Sequence, residues 1–233
     1  MAKLRDNYGV KIFKLDVTNS SSVKDAKTYI QEETLGNHLD ILFNNAGQTC
    51  QVPTTDVTDE QFAQCFKVNV FGAILIEFTG SIAGVNPFPF SCVYTATKAT
   101  IESYASVLRI EMKPFKVKVI NFITGMVRTN IEDTRGLPET SLFNVPGMKE
   151  AFEEIRLGVT KNNPTPADSY AKQVVDDFEK AKLGGSLHLY HAKMAFILGF
   201  ISPLLPRCIL EGILIRKLKL TGPFEYLKEK YTD

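Results

Sequence analysis

The sequence predicts an α/β protein: a doubly wound parallel sheet, followed by an apolar helical segment at the C-terminal end. Three observations predict it. Alternating or β-branched stretches recur between long amphipathic ones, the pattern of strands joined by crossover helices. Two of the strand-like stretches run into small-residue turns, Asn44-Asn45-Ala46-Gly47 and Thr124-Gly125. From Met194 onward the composition turns apolar and then basic.

The elements follow in order. Val10 to Val17 alternates apolar and polar residues, the period of a strand. Thr18 to Ser22 offers a choice of helix N-caps. Val23 to Leu35 reads as an amphipathic helix, with Gly36 at its stop. Leu39 to Phe43 reads as a short buried strand. Asp59 to Asn69 and Tyr94 to Met112 read as helices, and Val117 to Ile123 as a β-branched strand. Ala167 to Leu183 reads as a helix closed by Gly184-Gly185. The polar, Pro-containing stretch from Asn130 to Asp168 reads either as a substrate loop or as a plain connector. The predicted division is a sheet domain over 1–186 and an apolar and basic helical segment over 187–233.

Within that segment, Met194 to Ile215 is broken by Pro203, Pro206, Arg207 and Glu211, too short a run to span a bilayer. Arg216-Lys217-Leu218-Lys219 follows. Apolar residues beside a basic cluster suit a segment lying on a lipid surface. Short helices packed on the domain or at a subunit interface are the alternative.

Composition removes several classes. Among 233 residues, Lys plus Arg is 27 and Asp plus Glu is 26, a net charge of +1. No global field attracts nucleic acid. Hydrophobic residues at 44% are enough to exclude general disorder. Cys50, Cys65, Cys92 and Cys208 form no C-x-x-C pair and His is scarce, so no metal site is expected. The thiols read as reduced, in an intracellular protein without a signal peptide.

The chemistry centres on Tyr94-Thr95-Ala96-Thr97-Lys98. Four residues apart on a helix, Tyr94 and Lys98 share a face. An ammonium near a phenol favours the phenolate, and such a tyrosine can exchange a proton with a carbonyl or an alcohol. The same spacing recurs at Tyr226 and Lys230, without a strand context, and reads there as a solvated helical face. Ser81, thirteen residues before Tyr94, has a hydroxyl that could hold a carbonyl beside the phenol. Both small-residue turns fall at carboxyl ends of predicted strands, where open α/β sheets bind ligands. A hydrolase elbow, G-x-S-x-G, is excluded because Thr79 precedes Gly80 and Ser81.

The order Asp16-Val17, Asn44-Asn45-Ala46-Gly47, Ser81, Tyr94/Lys98 and Thr124-Gly125-Met126-Val127-Arg128-Thr129 resembles the short-chain dehydrogenase/reductase family, over about Val10 to Leu183. The runs from Ser81 to Phe90 and from Val93 to Lys98 look like those of its fungal NADPH-dependent 1-acyldihydroxyacetone-phosphate reductases. So do Leu137 to Ser141 and Asn163 to Asp168. The resemblance implies a Rossmann-like sheet, NADPH as cofactor, and reduction of an acyl-lipid ketone to lysophosphatidic acid. It implies a cytoplasmic-facing place on the endoplasmic reticulum or lipid droplets, and leaves an oligomer open. It makes Tyr94 the general acid, Lys98 the group that lowers the Tyr94 pKa and holds the nicotinamide ribose, and Ser81 the carbonyl's hydrogen-bond partner. Asn69 takes the helix position that holds a relay water. Asp16 and Val17 border the adenine, and Asn44, Ala46 and Gly47 line the adenosine and ribose. Gly125, Val127 and Thr129 meet the nicotinamide and pyrophosphate. Thr124 stands where many members have proline.

Two departures accompany the match. No T-G-x-x-x-G-x-G turn occurs, so the sheet is expected to lack its first β-α-β unit and the helix N-terminus that holds a pyrophosphate. Only eleven residues, Val70 to Gly80, separate Asn69 from Ser81, too few for a full helix end and a full strand. An incomplete gene reading, a splice variant or a decayed copy would produce both. A non-catalytic remnant held at lipid surfaces, and a reductase of another lipid ketone, are the alternative functions.

Overall fold

The computed structural model describes residues 2–34, 39–73, 77–131 and 133–232. The chain divides into two compact units, Met1–Leu42 and Phe43–Asp233.

The first unit holds α1 (Ala2–Tyr8) and α2 (Ser20–Glu33). Helix α2 starts three residues before the expected Val23, because Asn19 is the cap that forms. Its side chain accepts the Ser21 and Ser22 amides at 2.9 and 3.3 Å, satisfying two donors that have no partner within the helix. The expected stop at Leu35 and Gly36 lies outside the described residues. Val10 to Val17 is extended chain and not the strand expected. A strand needs a ladder partner, and the described residues of this unit form none. The alternation therefore buries no face, and Val10, Ile12 and Leu15 stay exposed. The segment borrows contacts from α2 instead: Phe13 stacks on Tyr29 at 5.0 Å and Lys11 pairs with Glu33.

Among the described residues, the second unit is built on three parallel strands in the order β1 (Glu77–Thr79), β2 (Ile120–Thr124), β3 (His188–His191). Thr79 registers with Phe122, and Phe122 with Leu189. Side chains alternate along β2. Ile120 and Phe122 pack on Tyr170, Val174 and Phe178 of α7 (Ala167–Glu179). Val119, of the opposite parity, packs on Ile101 and Ala105 of α4 (Cys92–Glu111). Helices thus cover both faces, the condition for a parallel sheet. This is the Rossmann-like α/β arrangement expected, in short form.

Leu39 to Phe43 is not a strand. Thr79 donates its amide and hydroxyl to the Asn44 carbonyl, at 3.3 and 3.2 Å, a single bridge where a ladder was expected. Among the described residues β1 covers Glu77–Thr79. The interval between Asn69 and Ser81 holds both a helix end and this strand. Helix α3 (Asp59–Asn69), started by the Thr58–Gln61 capping box, stops at Asn69. A 3₁₀ turn at Phe71–Ala73 follows, and β1 still forms.

The stretch Asn130 to Asp168 is not plain connector. It contains α5 (Met148–Arg156) and α6 (Gly158–Lys161). Met148, Ala151 and Phe152 are buried against Phe90, Val145 and Leu220. The expected boundary at 186/187 also moves, because β3 joins the sheet. Half-exposed His188-Leu189-Tyr190-His191 carries no clear apolar period, which hid it in the sequence. Beyond it come a π-helical turn (Ile197–Ile201), a 3₁₀ turn (Ser202–Leu204), α8 (Arg207–Lys217) and α9 (Thr221–Thr232). No helix among the described residues is long and apolar enough to cross a membrane.

Candidate active site

Helix α4 places Tyr94 and Lys98 on one face, as the spacing predicts. Lys98 is 7% exposed, and its Nζ donates to the Thr79 carbonyl at 2.8 Å. Burial pulls its pKa down to about 8, because a charged amine is disfavoured away from water. The ammonium sits over the Tyr94 ring, 5.7 Å from its centre.

Tyr94 departs from expectation in direction. Burial raises its pKa, and a hydrogen bond with the Ser81 hydroxyl pulls the other way. Lys98 was expected to lower it, but its ammonium is tied to the strand carbonyl and lies over the ring. The phenol is therefore protonated near neutral pH, the form that can give a proton to a carbonyl oxygen.

Ser81 follows β1 in extended backbone and caps a 3₁₀ turn, Ile82–Gly84, by accepting the Ala83 amide at 3.1 Å. That turn packs tightly on α4: a Cβ at Gly84 would lie 3.1 Å from the Lys98 carbonyl. Ser81, Tyr94 and Lys98 are thus brought together at the carboxyl end of β1.

Asn69 is fully buried at the end of α3. Its Oδ1 accepts the Gln48 amide at 2.8 Å, and its Nδ2 donates to the Gln48 carbonyl at 2.9 Å and to Thr97 Oγ1 at 3.0 Å. Thr97 in turn donates to the Tyr94 carbonyl at 2.7 Å. Cys65 Sγ lies 3.4 Å from Asn69 Nδ2, and burial pushes the thiol up to about 11. Asn69 therefore joins the small-residue loop to α4.

Gly47 belongs to the same place. A Cβ built on it would lie 3.5 Å from Asn69 Oδ1 and 3.9 Å from Lys98 Nζ. Ala46 is exposed and Asn44 half-buried. Gly125 is required by a close backbone approach, since a Cβ there would lie 2.2 Å from the Lys193 carbonyl oxygen. Val127 is buried and bridges to Thr165, while Thr129 is exposed. Asp16 and Val17 belong to the first unit, where Asp16 Oδ1 accepts the Thr18 amide and hydroxyl at 2.9 and 2.7 Å.

Three features escaped the sequence reading. Thr97 is one; its position three residues after Tyr94 was the available signal. Gln48 is the second, held through its backbone, which no side-chain pattern announces. The third is a cleft of ≈350 Å³ whose lining includes Gln48, Cys50, Glu60, Gln64 and Arg135. Buried Asp133 fixes Arg135 there, accepting its Nε at 2.8 Å and the Gln51 amide at 2.8 Å.

The residues around Lys98 suit the ribose of a nicotinamide nucleotide. Lys98 has one hydrogen-bond acceptor among the described residues, leaving two of its three donors to receive a diol such as ribose. Gly47 lets a ligand pass close to that ammonium. The ribose end fits. No glycine-rich turn is present in the chain to cradle a pyrophosphate.

A family model described as short chain dehydrogenase matches residues 1–77 and 75–139. The two pieces meet inside the short interval between Asn69 and Ser81. The chain is 41% identical over 248 residues to the NADPH-dependent 1-acyldihydroxyacetone phosphate reductase of Saccharomyces cerevisiae, covering 99% of this chain and 83% of that protein. It is 34% identical over 157 residues to the protein of the same description in Schizosaccharomyces pombe, covering 58% and 53%. The solved structure of a short-chain dehydrogenase from Streptomyces avermitilis superposes with a TM-score of 0.70 at 22% identity, covering 100% of this chain and 85% of that one.

Proposed function

Because this chain belongs to the short-chain dehydrogenase family, an oxidoreductase family served by nicotinamide cofactors, we propose that it reduces the ketone of an acyl-lipid phosphate with NADPH. The substrate proposed is 1-acyldihydroxyacetone phosphate and the product lysophosphatidic acid. The single observation that carries the reading is the grouping of Tyr94, Ser81 and Lys98 at the end of β1. The choice of substrate and of NADPH over NADH rests on the 41% identity to the yeast reductase.

A nicotinamide cofactor, when bound, would supply the hydride. The protein's residues do the rest. Ser81 donates a hydrogen bond to the carbonyl oxygen and fixes its place beside the phenol. Tyr94 delivers the proton as negative charge develops on that oxygen. Lys98 holds ribose hydroxyls with its remaining donors. Asn69 acts by holding Gln48 and Thr97, which set the loop and the α4 backbone at Tyr94. Asn44, Ala46 and Gly47 are proposed for the adenosine and ribose, and Gly125, Val127 and Thr129 for the nicotinamide and pyrophosphate.

A lipid surface suits such a substrate. Phe196, Ile197, Phe200, Ile201 and Leu204 are exposed, close in sequence to the basic end of α8. We propose that this segment rests on the cytoplasmic face of the endoplasmic reticulum or of lipid droplets.

The deciding experiment titrates the purified chain with NADPH and NADH by cofactor fluorescence, then assays the acyl-lipid ketone. Saturable NADPH binding with turnover is the expected result. A folded chain that binds neither cofactor overturns the reading in favour of a non-catalytic remnant.

A further inference from the structure

The turn that carries Ser81 is bolted to the apolar segment that follows β3. Asn86, 2% exposed, donates both amide hydrogens to backbone carbonyls: Ile82 at 2.8 Å and Leu198 at 2.6 Å. With both hydrogens committed, the orientation of the amide is fixed, and its Oδ1 can only accept. The hydroxyl of Ser202, 4% exposed, fills that role at 2.5 Å. Ile82 is the residue after Ser81, and its carbonyl also receives the Val85 and Asn86 amides. On the other side, Leu198 lies within the π-helical turn and Ser202 follows it. That turn is itself pressed on the sheet: a Cβ at Gly199 would lie 2.8 Å from both Ile123 and Tyr190.

We propose that Asn86 is a positioning residue for Ser81, and that the apolar C-terminal segment is, through it, part of the catalytic scaffold. The proposal rests on the reductase reading for the role of Ser81. A buried amide with every hydrogen-bonding group used tolerates little displacement, because each lost bond strands a polar group away from water. The Ser81 turn is then gripped from two directions, by Gly84 on the α4 backbone and by Asn86 on the C-terminal segment. Moving Leu198 moves the Ile82 carbonyl, and with it the hydroxyl next in the chain.

The test uses the full chain. Asn86→Asp keeps the shape but faces two carbonyls with an acceptor. Ser202→Ala removes the hydroxyl that lies within hydrogen-bond distance of both Asn86 Oδ1 and the Leu198 carbonyl, and serves if the first variant does not fold. We expect kcat to fall about 10- to 100-fold in Asn86→Asp and less in Ser202→Ala, with KM for NADPH within about twofold of wild type. Backbone amides 82–86 should exchange with deuterium faster in both. In a Ser81→Ala background, Asn86→Asp should cost little more, since a residue acting through Ser81 is not additive with it. Wild-type kcat and wild-type exchange in folded variants overturn the proposal, as does full additivity with Ser81→Ala. A wild-type chain that reduces no ketone, with exchange still accelerated in the variants, overturns the reductase reading and the catalytic role of Asn86 with it, while leaving the tether itself established.

Discussion

Asn69 pairs with Gln48 as one peptide pairs with another: its side-chain oxygen takes the Gln48 amide at 2.8 Å and its side-chain nitrogen returns to the Gln48 carbonyl at 2.9 Å. The pair joins the end of α3 to the loop that carries Gly47. Replacing Asn69 by alanine removes its bonds to both Gln48 groups and one of the two partners of Thr97 Oγ1. We expect a loss of about 2–3 kcal/mol, read as a lower urea midpoint. An unchanged midpoint would mean that the loop is held by something else.

Tyr94→Phe tests the proton donor. It keeps the ring over which Lys98 sits and removes only the hydroxyl. Ketone reduction should fall by about 10²–10⁴, with the far-ultraviolet spectrum unchanged. Reduction at the wild-type rate by this variant would remove Tyr94 from the mechanism.

Lys98 gives a pH test with a definite sign. Its folded pKa is about 8, below the ordinary 10.5. Between these values the unfolded chain holds a proton that the folded chain has released. Where the unfolded state binds more protons, stability rises with pH. The urea midpoint of the wild type, measured relative to Lys98→Met, should therefore rise from about pH 8 to about pH 10. A flat difference across that window would show that burial does not depress the amine.

Gly125→Ala tests the packing at the carboxyl end of β2. The added methyl would meet the Lys193 carbonyl oxygen at 2.2 Å, and that backbone is held by the Met126 amide at 2.9 Å. A destabilisation of about 1–3 kcal/mol is expected, measured by thermal or urea melting. A neutral substitution would mean that the Lys193 backbone yields freely.

The lipid-surface proposal predicts co-flotation with vesicles of mixed neutral and anionic phospholipid. Phe196→Ser with Phe200→Ser should weaken it, because these stacked rings, 5.3 Å apart, are both about half exposed. Co-flotation equal to wild type in the double variant would place the contact elsewhere.

What the sequence revealed was whatever local chemistry decides. Helix α3 runs over the residues expected, because Thr58 and Gln61 fix its start and the chain leaves helical pairing after Asn69. The Tyr94 and Lys98 face follows from helical spacing alone. What it hid depends on partners distant in the chain. Val10 to Val17 has a strand's alternation and no ladder to join. His188 to His191 has little alternation, yet β2 supplies the ladder. The raised Tyr94 pKa was equally hidden, since it depends on burial and on where the Lys98 ammonium is tied.

The place of β2 in the sheet also sets a timetable for synthesis. Its partners are β1, made earlier, and His188–His191, made much later. Until the ribosome has released that last strand, one edge of Ile120–Thr124 stays unpaired, and the face that α7 will cover is open until α7 too has emerged. A nascent chain stopped before His188 should be sticky, a client for chaperones and prone to pair with its own copies. The sheet closes only once His188–His191 has emerged, so termination upstream of that strand should yield aggregate instead of a smaller working protein.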